Sequence, residues 1–157
     1  MKTSSLICIL TASIPLSLLA QTKLSLNDVP APVQAAIKKE LGTAPIEFIE
    51  KEFEHGKTEY EVKTTVDGSP RSYAFDSNGQ LLAKEETIQF SEIPAPARAT
   101  LQKKAGQGTI QKAEKVTQGS RVFYEADITS QSRRKLEVAV YSDGKIKSVE
   151  DGEKDVD

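Results

Sequence analysis

The residue types that most often carry chemistry are unevenly distributed in this chain of 157 residues. Its only cysteine is Cys8, its only histidine is His55, and it has no tryptophan. Acidic side chains crowd one short segment, which contains Glu47, Glu50, Glu52, Glu54, Glu59 and Glu61. Paired carboxylates can act as general acid and base on a glycosidic bond, and carboxylate oxygens can bind hard cations. A solvated sheet face explains the same pattern and is favoured, because no tryptophan is available to stack against a sugar.

Cys8 lies in an N-terminal segment that is typical of a secretory signal peptide. Lys2 precedes an apolar run from Leu6 to Leu19, and Ala20 follows at the expected cleavage point. We therefore predict a signal peptide over residues 1–20 and an exported mature chain of 137 residues, periplasmic or secreted. The mature chain would have no thiol, a net charge of −3, no integral membrane segment and no affinity for nucleic acid.

The mature sequence contains an internal repeat. The segment Val29-Pro30-Ala31-Pro32-Val33 recurs 64 residues later as Ile93-Pro94-Ala95-Pro96-Ala97. Held without gaps over positions 29–61, this offset gives eleven identities in 33 pairs, against roughly two expected from random pairing. We predict one repeat over residues 24–87, a second over residues 88–151, and an acidic, frayed tail over residues 152–157.

Each repeat is predicted to fold as a helix followed by antiparallel strands. Pro30 and Pro32 suit the first turn of a helix, and Gly42 suits its end. The apolar period then becomes two, which predicts strands over 46–54, 57–66, 70–76 and 80–88, and over 110–117, 121–129, 135–141 and 145–150. The first of these segments fits a helix almost as well as a strand.

The fold class is therefore α+β, with two tandem helix-plus-antiparallel-sheet repeats. A unit of about 64 residues buries only about 60% of its unfolded surface. Since the mature chain has no disulfide, we expect the repeats to share a sheet or a core and to unfold in one cooperative transition.

These elements resemble the PepSY-like family. The resemblance rests on the helix openings, the strand motifs and the hairpins, namely Val29-Pro30 and Ile93-Pro94, Tyr60-Glu61-Val62 and Tyr124-Glu125-Ala126, and residues 76–81 and 142–146. It implies exported bacterial domains, often in tandem, whose fold is related to the secreted β-lactamase-inhibitor protein. It also implies no catalytic site and a role in binding or inhibiting other proteins, peptidases among them. We expect no cofactor.

The candidate binding residues are Glu59, Glu61, Glu125, Arg133 and Arg134. Alternation along the strands places the tyrosines of the repeated motif on the apolar face, so the adjacent glutamates point away from the core. Residues 21–87 carry a net charge of −4 and residues 88–157 a net charge of +1. This difference is either ordinary drift between repeats or an acidic face and a basic patch that serve different partners.

Two further motifs have plain structural explanations. His55 could bind a metal weakly or transfer a proton, but a turn residue is favoured, and the aligned position in the second repeat is Gly119. The sequence from Asp76 to Gly79 is similar to the start of a calcium loop, but strand residues follow at once, so an Asn-Gly hairpin is favoured. No catalytic residue and no metal site are assigned.

The sequence therefore favours an exported, non-enzymatic binding module that holds a protein or peptide on its solvent-facing sheet or at a strand edge. It could act as an inhibitor or regulator of a peptidase or of another envelope protein. Two alternatives remain open at this point: a divalent-cation-responsive envelope module that uses the acidic sheet face, and a carboxylate-dependent hydrolase.

Overall fold

A computed structural model describes residues 23–54 and 56–151. The predicted signal peptide, His55 and the predicted acidic tail lie outside these residues. The described chain contains two α-helices and one eight-stranded antiparallel sheet whose strands follow sequence order, so the α+β class is as predicted. The helices are α1 (Ala31–Leu41) and α2 (Ala95–Ala105); the strands are β1 (Phe48–Glu54), β2 (Lys57–Val66), β3 (Ser69–Asp76), β4 (Leu81–Thr87), β5 (Thr109–Gln118), β6 (Arg121–Thr129), β7 (Lys135–Tyr141) and β8 (Ile146–Asp151).

The strand boundaries agree with the predicted ones to within two residues at each end. The segment that also fitted a helix is a strand from Phe48 onwards, because it pairs continuously with β2, from Phe48 opposite Lys63 to Glu54 opposite Lys57. Within the described part of the chain, no helix is long and apolar enough to cross a membrane.

The two helices begin and end at equivalent positions. Each follows a proline, Pro30 or Pro94, and each ends at a glycine with a φ of 59°, Gly42 or Gly106. Glycine adopts a positive φ readily because it has no Cβ atom. The sequence signals for helix start and helix end therefore act as predicted in both halves of the chain.

Both helices pack on the same face of the sheet, but over separate apolar cores. In the first half, the buried residues of α1 (Val33, Ile37 and Leu41) contact Tyr60, Val62 and Phe75 of the sheet. In the second half, α2 packs on an equivalent cluster that includes Ala126, Ile128 and Val138.

Polar residues separate these cores where β4 pairs with β5. There Glu86 lies opposite Lys115, and it also forms ion pairs with Arg71 and Lys84 at 3.4 and 2.9 Å. The halves therefore share a sheet rather than a core.

We call the other side of the sheet the open face, because neither described helix packs against it. Its side chains alternate with those of the two cores, so Glu59, Glu61 and Glu125 all belong to it. One apolar cluster lies on this face as well, and it consists of Val116, Phe123 and Ala139.

Although it lies on the open face, Phe123 is only 1% exposed. The Nζ atom of Lys147 is 4.1 Å from its ring centroid, and the ring of Tyr141 approaches it edge-on at 6.5 Å between centroids. The side chains of the open face thus bury an aromatic ring that alternation alone would leave in water.

Candidate binding face of the sheet

Two pairs of glutamates face each other across neighbouring strands of the open face. Glu50 lies opposite Glu61 in β1 and β2, and Glu114 lies opposite Glu125 in β5 and β6. The 64-residue offset relates one pair to the other. Because like charges directly opposite each other destabilise a sheet, each pair needs a neighbouring cation, a proton or a ligand to relieve the repulsion.

In the first half, the pair belongs to a tight group of carboxylates. Glu50, Glu52 and Glu61 each offer an oxygen atom, and these atoms lie within 4.8 Å of one another. Glu59 lies opposite Glu52 on the same face. The Nζ atom of Lys63 forms an ion pair with Glu61, at 3.1 Å from its Oε2 atom.

A pocket of about 260 Å³ opens on the open face beside this group. Ala74 and Ala83 lie opposite each other in β3 and β4, and their short side chains leave a depression in the surface. The other lining residues are mainly acidic or polar: Glu52, Glu59, Glu61, Ser72, Glu85 and Gln118. The hydroxyl of Ser72 donates a 2.9 Å hydrogen bond to Oε2 of Glu85. A pocket with this charge and volume fits a cationic group.

Further carboxylates near the middle of the sheet are partly desolvated. Burial raises the pKa of Glu125 to about 7, and the charges of Glu137, Glu85 and Glu114 raise it too, while Lys147 opposes them. Burial also raises the pKa of Glu85, against the opposing hydrogen bond from Ser72.

The pKa of Glu137 is raised as well, again mainly by burial and then by the charge of Glu150. These carboxylates are therefore harder to ionise than a glutamate in water, and a cation brought close to them would stabilise their charged form.

The structure groups the predicted glutamates and separates the predicted arginines from them. Glu59, Glu61 and Glu125 share the open face. Arg133 and Arg134 lie instead in the turn between β6 and β7, where Arg133 has a φ of 62°. The guanidinium of Arg134 forms an ion pair with Asp151, through a 2.6 Å hydrogen bond from Nε. The basic turn is therefore a separate feature from the acidic face.

Several residues of the acidic face were not among the predicted binding residues: Glu50, Glu85, Glu114 and Glu137. A sequence signal existed for two of them. The hairpin turn at Gly56 pairs position 54 with 57 and therefore pairs Glu50 with Glu61, and the 64-residue offset repeats this pairing as Glu114 with Glu125. The position of Glu85 depends on strand pairing between the halves, for which the sequence carries no local signal.

The segment similar to a calcium loop is a hairpin turn, as predicted. Oδ1 of Asp76 accepts hydrogen bonds from the backbone N–H groups of Asn78 and Gln80, at 2.9 and 2.8 Å. The carboxylate thus closes its own turn, which is the usual role of aspartate at this position.

The chain is similar to known proteins in its three-dimensional structure, but not detectably in its sequence. No family model matches the sequence, and no curated protein matches it. A protein from Bacteroides fragilis NCTC 9343, described as BLIP-like after the β-lactamase-inhibitor protein, has the same architecture. It gives a TM-score of 0.61 at 16% identity, over 82% of this chain and 92% of that chain. The fold is BLIP-like.

Two other solved structures share this BLIP-like fold. A protein from Bacteroides eggerthii DSM 20697, described as periplasmic, gives a TM-score of 0.67 at 16% identity, over 78% of this chain and 88% of that one. A DUF2874 family protein from Bacteroides uniformis ATCC 8492 gives a TM-score of 0.66 at 18% identity, over 78% of this chain and 89% of that one. At such identities the likeness establishes the fold, and the periplasmic description of the first neighbour agrees with the predicted export of this chain.

Proposed function

We propose that this chain is an exported, non-enzymatic binding module of the PepSY-like type, built from two copies of one helix-and-strand unit. Its work is to hold a protein or peptide partner on the open face of the sheet. The observation that carries the proposal is the set of partly desolvated carboxylates centred on Glu125. A partner that brings lysine or arginine side chains to this face would stabilise the charged carboxylates, so binding is favoured by complementary charge.

The pocket above Ala74 and Ala83 is the place for an anchoring basic side chain. Its alanine floor can contact the apolar stem of a lysine or arginine, while Glu61 and Glu85 at its wall can accept hydrogen bonds from the charged head. Anchors of this kind, buried in a pocket near the centre of an interface, contribute most of the affinity in many complexes. We infer that the partner presents such a side chain on a basic surface.

The inhibitory role implied by the PepSY-like resemblance is the specific form of binding that we propose. An inhibitor needs only to cover its target, so a broad sheet face with one anchoring pocket is sufficient for it. The BLIP-like fold supports this role by its likeness to an inhibitor protein. The hydrolase alternative is less well supported, because none of the described residues that line the pocket is aromatic and able to stack against a sugar ring.

Affinity capture from the exported proteome, with the mature chain as bait, tests this proposal. We expect proteins with basic surfaces to be enriched at about 50 mM NaCl. Their enrichment should fall at about 300 mM NaCl, because salt screens exposed charges. The Glu125→Lys variant should lose them. The Glu40→Lys variant makes the same charge change on α1, away from the open face, and should retain them.

Capture of the same proteins by wild type and by Glu125→Lys would refute the proposal. So would the absence of any enriched protein at low salt.

A further inference from the structure

The first and last strands of the sheet each have an unpaired outer edge. β1 and β8 stand at the two ends of the strand order, and no strand of the described residues pairs with their outer sides. Such an edge presents N–H and C=O groups that another strand can bind. Each end strand also carries a large apolar side chain in water: Phe53 of β1 is 74% exposed and Val149 of β8 is 43% exposed. A strand added at these edges would cover the backbone groups and the side chains together.

The internal repeat shows which strand fits each of these edges. β1 corresponds to β5 at the 64-residue offset, because each pairs in the same register with the strand that follows it. β8 corresponds to β4 at an offset of 65 residues, from Glu85 to Glu150, and the register shift in this hairpin recurs at the same place. Within the chain, β4 pairs antiparallel with β5. The outer edges of β8 and β1 are therefore the equivalents of two edges that already bind each other.

A backbone hydrogen bond marks the point at which the two halves begin to differ. The N–H group of Ile88 donates to the C=O group of Ala113 at 3.0 Å, and at the 64-residue offset Leu24 donates to Ile49 at the same distance. Ile88 directly follows β4, which runs along the edge of β5. The predicted mature chain has only residues 21–23 before Leu24, which are too few for a strand like β4 with its seven residues. The edge of β1 beyond Ile49 is therefore open to a strand from another chain.

We propose that β8 of one copy of this chain pairs antiparallel with β1 of a second copy, in the register by which β4 pairs with β5. This register places three pairs of residues opposite each other: Val149 and Phe53, Glu150 and Glu52, and Asp151 and Lys51. The first pair brings together the two exposed apolar side chains, and pairs of an aromatic with a β-branched residue stabilise a sheet. Because the two edges are different surfaces, each added copy leaves one of each free, and copies associate head to tail. The contact lies at the strand edges and does not depend on the proposed binding of a partner to the open face.

The charges of the third pair are complementary. Within the chain, Glu86 of β4 lies opposite Lys115 of β5, with 4.0 Å between Oε2 and Nζ. Asp151 and Lys51 hold the equivalent positions with the same signs of charge. Opposite charges across neighbouring strands favour their pairing. The ion pair that crosses the internal contact thus forms again between copies.

The second pair limits the strength of the contact. Glu85 of β4 lies opposite Val116 of β5, whereas the equivalent residues of β8 and β1, Glu150 and Glu52, are both acidic. Like charges directly opposite each other destabilise a sheet. We therefore expect weak association of the wild type, and stronger association when Glu52 is replaced by valine, the residue that the second half has at this position.

Sedimentation equilibrium of the mature chain, from about 10 μM to about 1 mM, tests this contact. We expect the weight-average mass to rise with concentration. Glu52→Val should lower the dissociation constant by about fivefold, because it removes the repulsion from Glu150. Glu59→Val is the matched control, since it makes the same substitution on the open face of β2, one strand away from the edge. It should leave the association unchanged.

Proline variants test the head-to-tail arrangement. Peptide groups of alternate residues in a strand point to the same side, so the N–H group of Lys51 points outward like the C=O group of Ile49. Lys51→Pro removes this group from β1 and Val149→Pro removes the equivalent group from β8, and an edge strand tolerates proline where the missing N–H faced outward. Each variant alone should remain monomeric at about 1 mM. An equimolar mixture should form pairs with one molecule of each, because each variant supplies the edge that the other lacks.

Thermal unfolding checks that both proline variants fold, and the comparison of Glu52→Val with Glu59→Val decides if either does not. A wild type that stays monomeric at about 1 mM would refute the contact. Equal strengthening by Glu52→Val and Glu59→Val would also refute it, since it would indicate general attraction between apolar surfaces. Self-association of either proline variant to the extent of the wild type would contradict the head-to-tail arrangement and place the contact elsewhere on the molecule.

Discussion

Two adjacent glutamates of β4 show how strongly the pKa of a carboxylate depends on the side of the sheet that it faces. Burial acts to raise the pKa of Glu86, but Lys84, Arg71 and Lys115 outweigh it and hold the pKa below its usual value. Burial raises the pKa of Glu85, and on its side of the sheet Glu114 and Glu61 raise it further. Residues one position apart thus have opposite shifts, because alternation sends one to the cation-rich helix side and the other to the open face.

The raised pKa of Glu125 should affect the pH dependence of stability more than any other carboxylate of the open face. Its folded pKa is about 7, above the ordinary value of 4.5. Between these values the folded state holds a proton that the unfolded state has lost, so the free energy of unfolding falls as the pH rises from about 4.5 to about 7. Glu125→Gln should make this decline shallower. It should also stabilise the protein at pH 8 by on the order of 1–2 kcal/mol, once screening by water on the open face is allowed for.

Urea unfolding at pH 5 and at pH 8 measures this effect. Some decline should remain in the variant, because the pKa values of Glu85 and Glu137 are raised as well. An unfolding free energy that rises between these pH values, with the same slope in wild type and variant, would contradict the account.

At the scale of elements, each hairpin between the last two strands of a half touches the helix of that half. A Cβ atom placed on Gly79 would lie 2.4 Å from the backbone oxygen of Pro32, and one placed on Gly144 would lie 2.7 Å from that of Pro96. Both glycines also have a positive φ, of 79° and 83°. The tip of each hairpin therefore contacts the first turn of the helix, and only glycine fits there.

Replacing Gly79 by alanine should destabilise the protein by about 3 kcal/mol, since it adds this overlap to the cost of a left-handed backbone. Gly68→Ala is the matched control, because Gly68 also has a φ of 79° but nothing lies within 4 Å of its added Cβ. The free energy of unfolding of that variant should fall by only about 1 kcal/mol. Guanidinium unfolding compares the two variants. Equal losses would mean that the contact with the helix has no energetic effect.

The elements were largely predictable from the sequence, whereas their contacts were not. Prolines and glycines mark the ends of both helices, and the alternation around Tyr60 and Tyr124 gives the faces of two strands. These signals are local. The approach of Gly79 to Pro32 joins residues 47 positions apart, and the burial of Phe123 depends on Lys147 and Tyr141 from β8 and β7. Such contacts depend on the paired sheet as a whole, which no local pattern encodes.

At the scale of the whole molecule, one sheet joins two separate cores. The connection is the pairing of β4 with β5, from Lys84 opposite Thr117 to Thr87 opposite Glu114, and on the helix side it carries the ion pairs of Glu86. The 64-residue offset predicts a division into two repeats. The pairing of β4 with β5 was expected only in general terms, because no short turn connects these two strands.

Calorimetry should show a single unfolding transition for the mature chain. Separation of the halves would expose the edges of β4 and β5, and neither half of about 64 residues buries enough surface to compensate. Two resolved transitions, or a calorimetric enthalpy well above the van 't Hoff enthalpy, would show instead that the halves fold independently.

We propose that the open face, and not the helix side, is the surface that recognises a partner. Nuclear magnetic resonance of the ¹⁵N-labelled mature chain, titrated with a short arginine-rich peptide, tests it most directly. We predict that amide shifts change around Glu61, Ala74, Ala83 and Glu125, that α1 and α2 remain unaffected, and that Glu125→Lys weakens the changes. Shift changes centred on the helices, or none at low salt, would contradict the account.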